Sequence, residues 1–419
     1  MELFFVVIIS LMSKVVSKII PSGFKKKLLY KYKLKNLQNK KDNHCSLPSS
    51  QQQYKVDLLS LNFFDRRGDA LILGGGERYV YDLAKLLKMK GHAPRIVQSS
   101  EIPFQKQYNQ IDVIGLPSAP NSFKMFAMSY NRQHIWKTDF IITSPCDISA
   151  YLNKTRKVLG INHGIHWDQD TNRLVTNYIQ NYEIFKALSI VDRCICVDTN
   201  FINWVRTYDY GLSLKMDYIP NYYDQRIFQP KKKSFNGHNI IITFPRRLSK
   251  ERGFYLMVSV VCKLLEKYNN IIMHFVGQAM SHDEKQLLEN LLMRYPEKIK
   301  HYQYSMDEMY KAYEKSQIVV IPTVHSEGTS LSAIEAMAMN NALIVTNVGG
   351  LPNVIIDSFN GKIVSPIEDD LQNALEELIC NRSLRIKLAS NAINVVNSFN
   401  KELWNGRWNK VIDDFVKLL

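Results

Sequence analysis

The sequence predicts an α/β protein of two domains, each with a parallel β-sheet covered by helices. Short apolar runs alternate with amphipathic helical patterns from residue 54 onward. This alternation stops at a segment containing Pro230, a run of lysines and an Asn-Gly turn, and then starts again. The length of 419 residues also exceeds the usual size of a single hydrophobic core.

The first domain is predicted to span residues 54–232, after an N-terminal extension and linker over residues 1–53. We place its strands at residues 55–61, 95–98, 112–115, 139–143, 157–162, 193–197 and 217–219, where apolar runs end in turn residues. After the first strand, Gly74, Gly75 and Gly76 open a helical pattern. Glycines let a backbone approach a ligand closely, although a plain tight turn explains them equally well.

Two candidate residues follow the strand predicted at 157–162. His163 lies at its carboxyl end, where ligands gather in open α/β sheets. A structural histidine is the alternative interpretation. Asp168 and Asp170 have the D-x-D spacing of some metal-dependent transferases, but acids also favour the start of a helix, which is the simpler interpretation here.

The second domain is predicted to span residues 233–395, with a final helix over 396–419 that returns to the first domain. Its strands are placed at residues 238–244, 271–276, 318–321 and 342–346, and a helical pattern covers 371–379. Arg247 and Arg252 follow the first of these strands. Guanidinium groups so placed can clamp a diphosphate, and the alternative is a pair of solvated cations.

The stretch after the strand at 318–321 is the most informative about function. Thr329, Ser330 and Ser332 favour a helix start near Thr329, whose unpaired amides suit an anion. Glu327 precedes this helix, and Glu335 lies about 9 Å along its axis. Carboxylates on both sides of an anion site fit a phosphate ligand with hydroxyls at each end, such as a nucleotide sugar. The alternative is a capped helix with one incidental and one satisfied acid.

The net charge of +15 is concentrated at the N-terminus, where residues 1–50 contain ten lysines and two acids. Residues 1–41 are typical of a basic amphipathic segment on an anionic membrane surface. A solvated tail, or translation from Met12, is the alternative. The apolar run at residues 3–12 is too short to span a bilayer and lacks the flanks of a secretory signal. Because the charge is local, we expect no nucleic-acid partner.

The six cysteines are scattered, without a C-x-x-C pair or a histidine at zinc spacing. Cys194 and Cys196 alternate along a predicted strand, as core thiols do. This usage favours a reducing cytoplasm.

Residues 55–415 resemble the GT-B fold glycosyltransferases of family 4, which are retaining enzymes that use nucleotide sugars. The most specific match is the E-x7-E motif formed by Glu327 and Glu335. The supporting matches are Gly75-Gly76-Glu77-Arg78, the stretch from Arg247 to Gly253, Pro220-Asn221, and Gly349-Gly350-Leu351-Pro352-Asn353. The chain departs from the family pattern at Arg252, where lysine is usual, at Asn353, where an acid is frequent, and at Asn340-Asn341, which replace a glycine.

The resemblance implies two Rossmann-like domains that face each other across a cleft, with the donor held mainly by the second. It implies that Arg247 and Arg252 neutralise the donor diphosphate, that Glu327 binds sugar hydroxyls, and that His163 contacts the sugar from the first domain. The further donor-binding residues that it implies are Glu335 at the ribose, Gly328, Thr329, Ser330 and Leu331 at the diphosphate, and Gly75, Gly76 and Gly277. No cofactor and no metal are expected.

The function implied is that of a retaining, metal-independent hexosyltransferase that extends a lipid-linked or polysaccharide acceptor. The expected setting is the biosynthesis of a surface glycan, such as an O-antigen, a capsule or an exopolysaccharide, in the cytoplasm at the inner face of the membrane. Two alternatives remain open: a non-catalytic scaffold that binds a nucleotide sugar, and a nucleotide-sugar epimerase of the same fold.

Overall fold

The computed structural model describes residues 52–419 except 73, 134–136, 166–172, 231–234, 236–238 and 326. The basic N-terminal segment, the pair Asp168 and Asp170, and most of the predicted domain boundary lie outside the described residues. The rest of the chain forms two parallel sheets covered by helices, which confirms the predicted fold class.

The first sheet has the strand order β3-β4-β2-β1-β5-β6-β7-β8, parallel throughout except for the antiparallel pair β3 and β4. Its strands are β1 Lys55–Ser60, β2 Ala93–Ser100, β3 Phe104–Tyr108, β4 Ile111–Pro117, β5 Phe140–Ser144, β6 Lys157–Asn162, β7 Arg193–Cys196 and β8 Met216–Tyr218. The helices between them are α1 Gly75–Met89, α2 Phe123–Asn131, α3 Arg173–Ile190, α4 Thr199–Tyr208 and α5 Tyr210–Ser213. A 3-10 turn, Cys146–Tyr151, follows β5.

The second sheet is parallel throughout, in the order β11-β10-β9-β12-β13-β14. Its strands are β9 Ile240–Phe244, β10 Ile271–Val276, β11 Ile299–Tyr302, β12 Ile318–Ile321, β13 Ala342–Thr346 and β14 Lys362–Val364. The helices are α6 Phe254–Lys267, α7 His282–Arg294, α8 Tyr310–Glu314, α9 Leu331–Ala338, α10 Glu368–Cys380, α11 Arg382–Val396 and α12 Lys401–Val416. Short 3-10 turns cover Met306–Glu308, Leu351–Asn353 and Asn397–Phe399.

The central strands were predictable because they are apolar on both faces, as buried parallel strands are. β6, β10, β12 and β13 have the predicted bounds. β3 was not predicted, since three of its five residues are exposed and polar. β14 was missed because it is only three residues long.

The last helix, α12, packs on the core of the first domain. Trp404 and Trp408 are fully buried there, and the indole N–H of Trp408 donates to the Tyr79 hydroxyl at 2.9 Å. Within the described residues, the chain therefore passes from one domain to the other twice. The two crossings are hydrogen-bonded to each other, because the backbone of Tyr223 pairs with Phe399 and Lys401.

In each sheet the strand order reverses at the first strand, β1 in one domain and β9 in the other. Open α/β sheets bind ligands at such points, beyond the carboxyl ends of the strands. The loops after β1 and β5, and those after β9 and β12, are thus the segments that the fold places for function. No helix among the described residues is both long and apolar enough to cross a membrane.

Candidate functional site between the domains

A cavity of about 580 Å³ lies at these loops, with both domains contributing to its wall. The first domain supplies Gly74, Gly75, Gly76, Glu77, Phe123, Pro145, Asp147, Asn162, His163, Gly164, Ile165 and Asn221. The second supplies Arg246, Arg247, Arg252, Glu327, Gly328, Thr329, Ser330, Leu331 and Ser332. The structure thus brings together all the predicted site residues except Glu335 and Gly277.

The N-terminus of α9 opens onto this cavity. Ser330 is the capping residue, and its hydroxyl accepts a hydrogen bond from the amide of Ala333 at 3.4 Å. This confirms a helix start near Thr329, with Leu331 as the first helical residue, while the Thr329 hydroxyl donates to the carbonyl of Val197 in the first domain. The first amides of a helix have no acceptor within it, so this end suits an anion.

Glu327 is held by three donors from its own domain. Its Oε2 accepts from Arg246 Nη2 at 2.5 Å, from Arg252 Nη1 at 2.9 Å and from the Thr323 hydroxyl at 2.9 Å. Burial alone would raise the pKa of Glu327, but the two guanidinium groups lower it below its ordinary value. The carboxylate is therefore ionised and fixed, and none of these three bonds uses Oε1.

Arg246 was missed by the sequence analysis, although it neighbours a predicted site residue. Its side chain is only 7% exposed, and its Nε has no hydrogen-bond partner among the described residues. Arg246 turns inward to Glu327, whereas Arg247 is exposed at the cavity. Two consecutive arginines after a strand are the signal that could have indicated this split.

Arg247 faces the glycine turn of the first domain. A Cβ atom built on Gly74 would lie 2.9 Å from Arg247 Nη2 and 2.4 Å from a carboxylate oxygen of Glu77. One built on Gly75 would lie 3.0 Å from Leu331 at the start of α9. Burial raises the pKa of Glu77, and Arg247 partly offsets this. The glycines are thus needed for the close approach of the two domains.

His163 lies on the opposite wall, at the carboxyl end of β6. Its Nε2 is 2.8 Å from the Ser144 hydroxyl, and its ring meets the edge of Tyr79 at a centroid distance of 5.3 Å. Burial lowers the pKa of His163 to about 4, so the imidazole is neutral at pH 7. A neutral imidazole can exchange hydrogen bonds with sugar hydroxyls without adding charge.

Asp147 is a second cavity residue that the sequence analysis missed. It is 2% exposed and lies in the 3-10 turn directly after β5, at the reversal point of the first sheet. Its position beyond a strand end was the available signal. It gives the first domain a carboxylate on the cavity wall.

The backbones of the two domains meet where Gly164 faces Gly328. A Cβ on Gly164 would lie 3.0 Å from the amide nitrogen of Gly328, and one on Gly328 would lie 2.5 Å from the carbonyl of His163. Asp198 is fully buried beside this contact. Its Oδ1 accepts from the amide of Phe201 at 2.8 Å, while Oδ2 has no hydrogen-bond partner among the described residues. Burial, with a smaller contribution from Glu327, raises the pKa of Asp198 to about 6.

Asn353, one of the departures from the family pattern, also joins the domains. Its Oδ1 accepts from the amide of Thr199 at 2.9 Å, and its Nδ2 donates to the Thr199 hydroxyl at 2.7 Å. Thr199 is next to Asp198 in sequence. A neutral amide at this position avoids a second carboxylate beside a buried acid that already lacks a full set of partners.

Glu335 and Gly277 do not line the cavity. Both carboxylate oxygens of Glu335 are bonded, Oε1 to Arg78 and Oε2 to the hydroxyl of Tyr313. The carbonyl of Gly277 lies 2.8 Å from the ring nitrogen of His301. Their proposed contacts with a donor stay predictions, and for Glu335 they require a change in its partners.

Within the described part of the chain, no cluster of three or more His, Cys, Asp or Glu side chains could hold a metal ion. Cys194 and Cys196 are fully buried in the core of the first domain, as predicted for core thiols, with their sulfur atoms 3.9 Å apart.

Residues 225–395 match the family model for glycosyl transferases group 1. The glycosyltransferase MJ1178 of Methanocaldococcus jannaschii is 38% identical over 88 residues, 21% of this chain and 25% of that protein. MJ1607 of the same organism is 23% identical over 62% of this chain and 68% of its own length. The lipopolysaccharide 1,2-N-acetylglucosaminetransferase of Salmonella typhimurium is 22% identical, over 39% of this chain and 45% of the enzyme. The chain thus spans about a quarter of the first relative and two thirds of the second.

Solved structures share the whole two-domain arrangement. Sucrose-phosphate synthase from Thermosynechococcus elongatus superposes with a TM-score of 0.70 at 16% identity, covering 88% of this chain and all of the other. Anabaena HepE in complex with UDP-glucose gives a TM-score of 0.67 at 14% identity, over 86% of this chain and all of HepE. These likenesses confirm the GT-B fold.

Proposed function

We propose that this GT-B chain, whose second domain matches the group 1 glycosyl transferases, moves a sugar from a nucleotide-sugar donor to a glycan or lipid-linked acceptor. The observation that carries the proposal is the arrangement around the cavity. The amides at the start of α9, Arg247 and Arg252 lie on one wall, and His163 lies on the other. HepE, which binds UDP-glucose in its solved complex, shares this fold.

The charges of the second domain suit the leaving group of such a reaction. Breaking a sugar–phosphate bond develops negative charge on the diphosphate, which fixed cations and N–H dipoles stabilise. Arg247 and Arg252 supply the cations, and the N-terminus of α9 supplies the dipoles. Because Arg246 also holds Glu327, this carboxylate keeps its position and charge when Arg252 turns towards a diphosphate.

The acceptor is placed against the first domain. Asp147 and Asn162 offer oxygen acceptors to an incoming hydroxyl, and neutral His163 contacts the donor sugar from the same side. We propose that the hydroxyl attacks the face that the diphosphate leaves and passes its proton to the leaving phosphate oxygen. The configuration at the sugar carbon is then retained, and neither a protein nucleophile nor a metal is required, as in the family 4 enzymes that the motifs resemble.

We propose that the acceptor belongs to a surface glycan, as does that of the Salmonella lipopolysaccharide enzyme. The enzyme would then work in the cytoplasm, with the lysine-rich residues 1–41 on the inner face of the membrane. Sedimentation with anionic vesicles tests the second point. Unchanged sedimentation after removal of residues 1–50 would refute it.

The first experiment is a calorimetric screen of the purified protein against nucleotide sugars, followed by transfer assays with the donor that binds. Arg247→Ala should reduce turnover by about 100-fold or more, because a charge at the diphosphate is lost. Arg294→Ala is the matched control, since this exposed arginine of α7 pairs only loosely with Glu266 at 3.6 Å. Near-normal turnover of Arg247→Ala would contradict the proposal.

The same assays separate the alternatives. A scaffold would bind the donor without turnover in the presence of any candidate acceptor. An epimerase would interconvert the free donor without an acceptor, which NMR spectra of the sugar would reveal.

A further inference from the structure

A buried ion pair joins the two domains beside the cavity. Arg78 Nη1, in the first turn of α1, lies 2.9 Å from Glu335 Oε1 in α9, and the two side chains are 9% and 7% exposed. Glu335 is the residue that the family resemblance places at the ribose of the donor. In this structure its partner is a residue of the opposite domain.

Glu335 is fully engaged and shielded from the cavity. The Tyr313 hydroxyl donates to its Oε2 at 3.0 Å, while Arg78 occupies Oε1. The guanidinium of Arg78 also lies over the ring of Tyr222 at 5.6 Å. Neither Arg78 nor Glu335 lines the cavity. A ribose can therefore reach Glu335 only if the domains separate here and Arg78 gives up its bond.

The other acid near Arg78 is already satisfied by other groups. Asp82 accepts from the Tyr222 hydroxyl and is 2.8 Å from Lys401 Nζ. Glu335 is therefore the carboxylate that directly compensates the buried charge of Arg78. A buried charge that loses its partner is costly, so Arg78 resists displacement from Glu335 by a ligand.

We propose that Arg78 is a positioning residue that weakens the binding of ribose hydroxyls at this site, because it competes with them for Glu335. This inference rests on the proposed function, since it concerns the nucleoside end of the same donor site. A ligand with 2′- and 3′-hydroxyls supplies Glu335 with new donors when Arg78 is displaced. A ligand without them leaves the carboxylate unpaired and gains nothing from displacing Arg78.

The test compares Arg78→Met with the wild-type protein. The ligands are the nucleoside diphosphate that binds best among UDP, ADP and GDP, its 2′,3′-dideoxy analogue, and inorganic pyrophosphate. Removing Arg78 should raise the affinity for the ribonucleoside diphosphate by about tenfold, the value of one charge-assisted hydrogen bond. Affinities for the dideoxy analogue and for pyrophosphate should stay within about twofold, because neither bonds to Glu335.

Lys88→Met is the matched control, because it removes a positive charge from the exposed face of the same helix. It should change none of the three affinities. If Arg78→Met does not fold, Arg78→Gln provides the same comparison, since a shorter neutral side chain competes less well for Glu335. A general loosening of the structure would alter all three affinities together.

A ratio of ribonucleoside to dideoxynucleoside affinity that is unchanged or lower in the Arg78 variant would overturn the inference while leaving the proposed function intact. If the wild-type protein binds none of the three nucleoside diphosphates, the proposed function fails and the role of Arg78 fails with it.

Discussion

Replacing Asp198 by asparagine should stabilise the first domain at neutral pH but not in acid. Asp198 caps α4 through Oδ1, and its Oδ2 has no partner among the described residues. Asparagine also accepts at a helix N-cap, so the variant keeps the bond to Phe201. The substitution removes only the negative charge of Asp198, which is fully buried.

The magnitude follows from the pKa of this carboxyl. Burial raises the pKa of Asp198 from an ordinary value of 3.8 to about 6, so the folded state holds the proton more tightly than the unfolded state. Ionisation therefore destabilises the fold progressively between about pH 4 and pH 6. At about 1.36 kcal/mol per pKa unit, the full effect is roughly 3 kcal/mol above pH 6.

Urea titrations of both proteins at a series of pH values between 4 and 7.5, followed by tryptophan fluorescence, measure this difference. The sequence has no tryptophan between residues 225 and 395, and Trp204, Trp404 and Trp408 pack in the first domain, so the signal reports this domain. Burial lowers the pKa values of His163 and His274 to about 4, so these two residues make the fold less stable as the pH falls. This contribution is the same in both proteins and cancels in the comparison. A stability difference that stays constant with pH would refute the reasoning.

Two further pairs of substitutions test contacts of the fold. Gly253→Ala should lower the free energy of unfolding by at least about 2 kcal/mol, because φ is +81° and the new Cβ would lie 1.8 Å from the carbonyl of Pro322. Gly406 lies in an open position of α12, so Gly406→Ala should instead raise the free energy of unfolding by about 1 kcal/mol. Thermal unfolding compares the two variants, and equal effects would contradict the argument. Asn353→Ala removes two interdomain hydrogen bonds and should cost about 2 kcal/mol, whereas Thr199→Ser keeps both and should cost almost nothing. A stable Asn353→Ala protein in urea titration would show that these bonds do not hold the domains together.

The fold was predictable because each central strand is a continuous apolar run, and the parallel arrangement follows from the alternation with helices. Short or polar edge strands such as β3 and β14 carry too little of this signal. Their pairing is decided by neighbours elsewhere in the chain.

The candidate site was predictable where local motifs mark the ends of strands and the start of a helix. Glu327, His163, Arg247 and Arg252 all line one cavity. The sequence could not reveal which side chains pair across the domains. Arg78 and Glu335 are 257 positions apart, and only the folded chain shows that they are partners. For Arg246, the direction of its side chain, rather than its position in sequence, decides that it binds Glu327.

The return of α12 to the first domain determines the order in which the protein can be completed during synthesis. The core of the first domain includes Trp404, Trp408 and Phe415, which are synthesised after every strand of the second sheet. Every strand of the second sheet and the helices between them precede residue 397. The second domain can therefore finish folding first, while the first domain waits for α12. A truncation a few residues before position 404 would spare the later domain and leave the earlier one without part of its core.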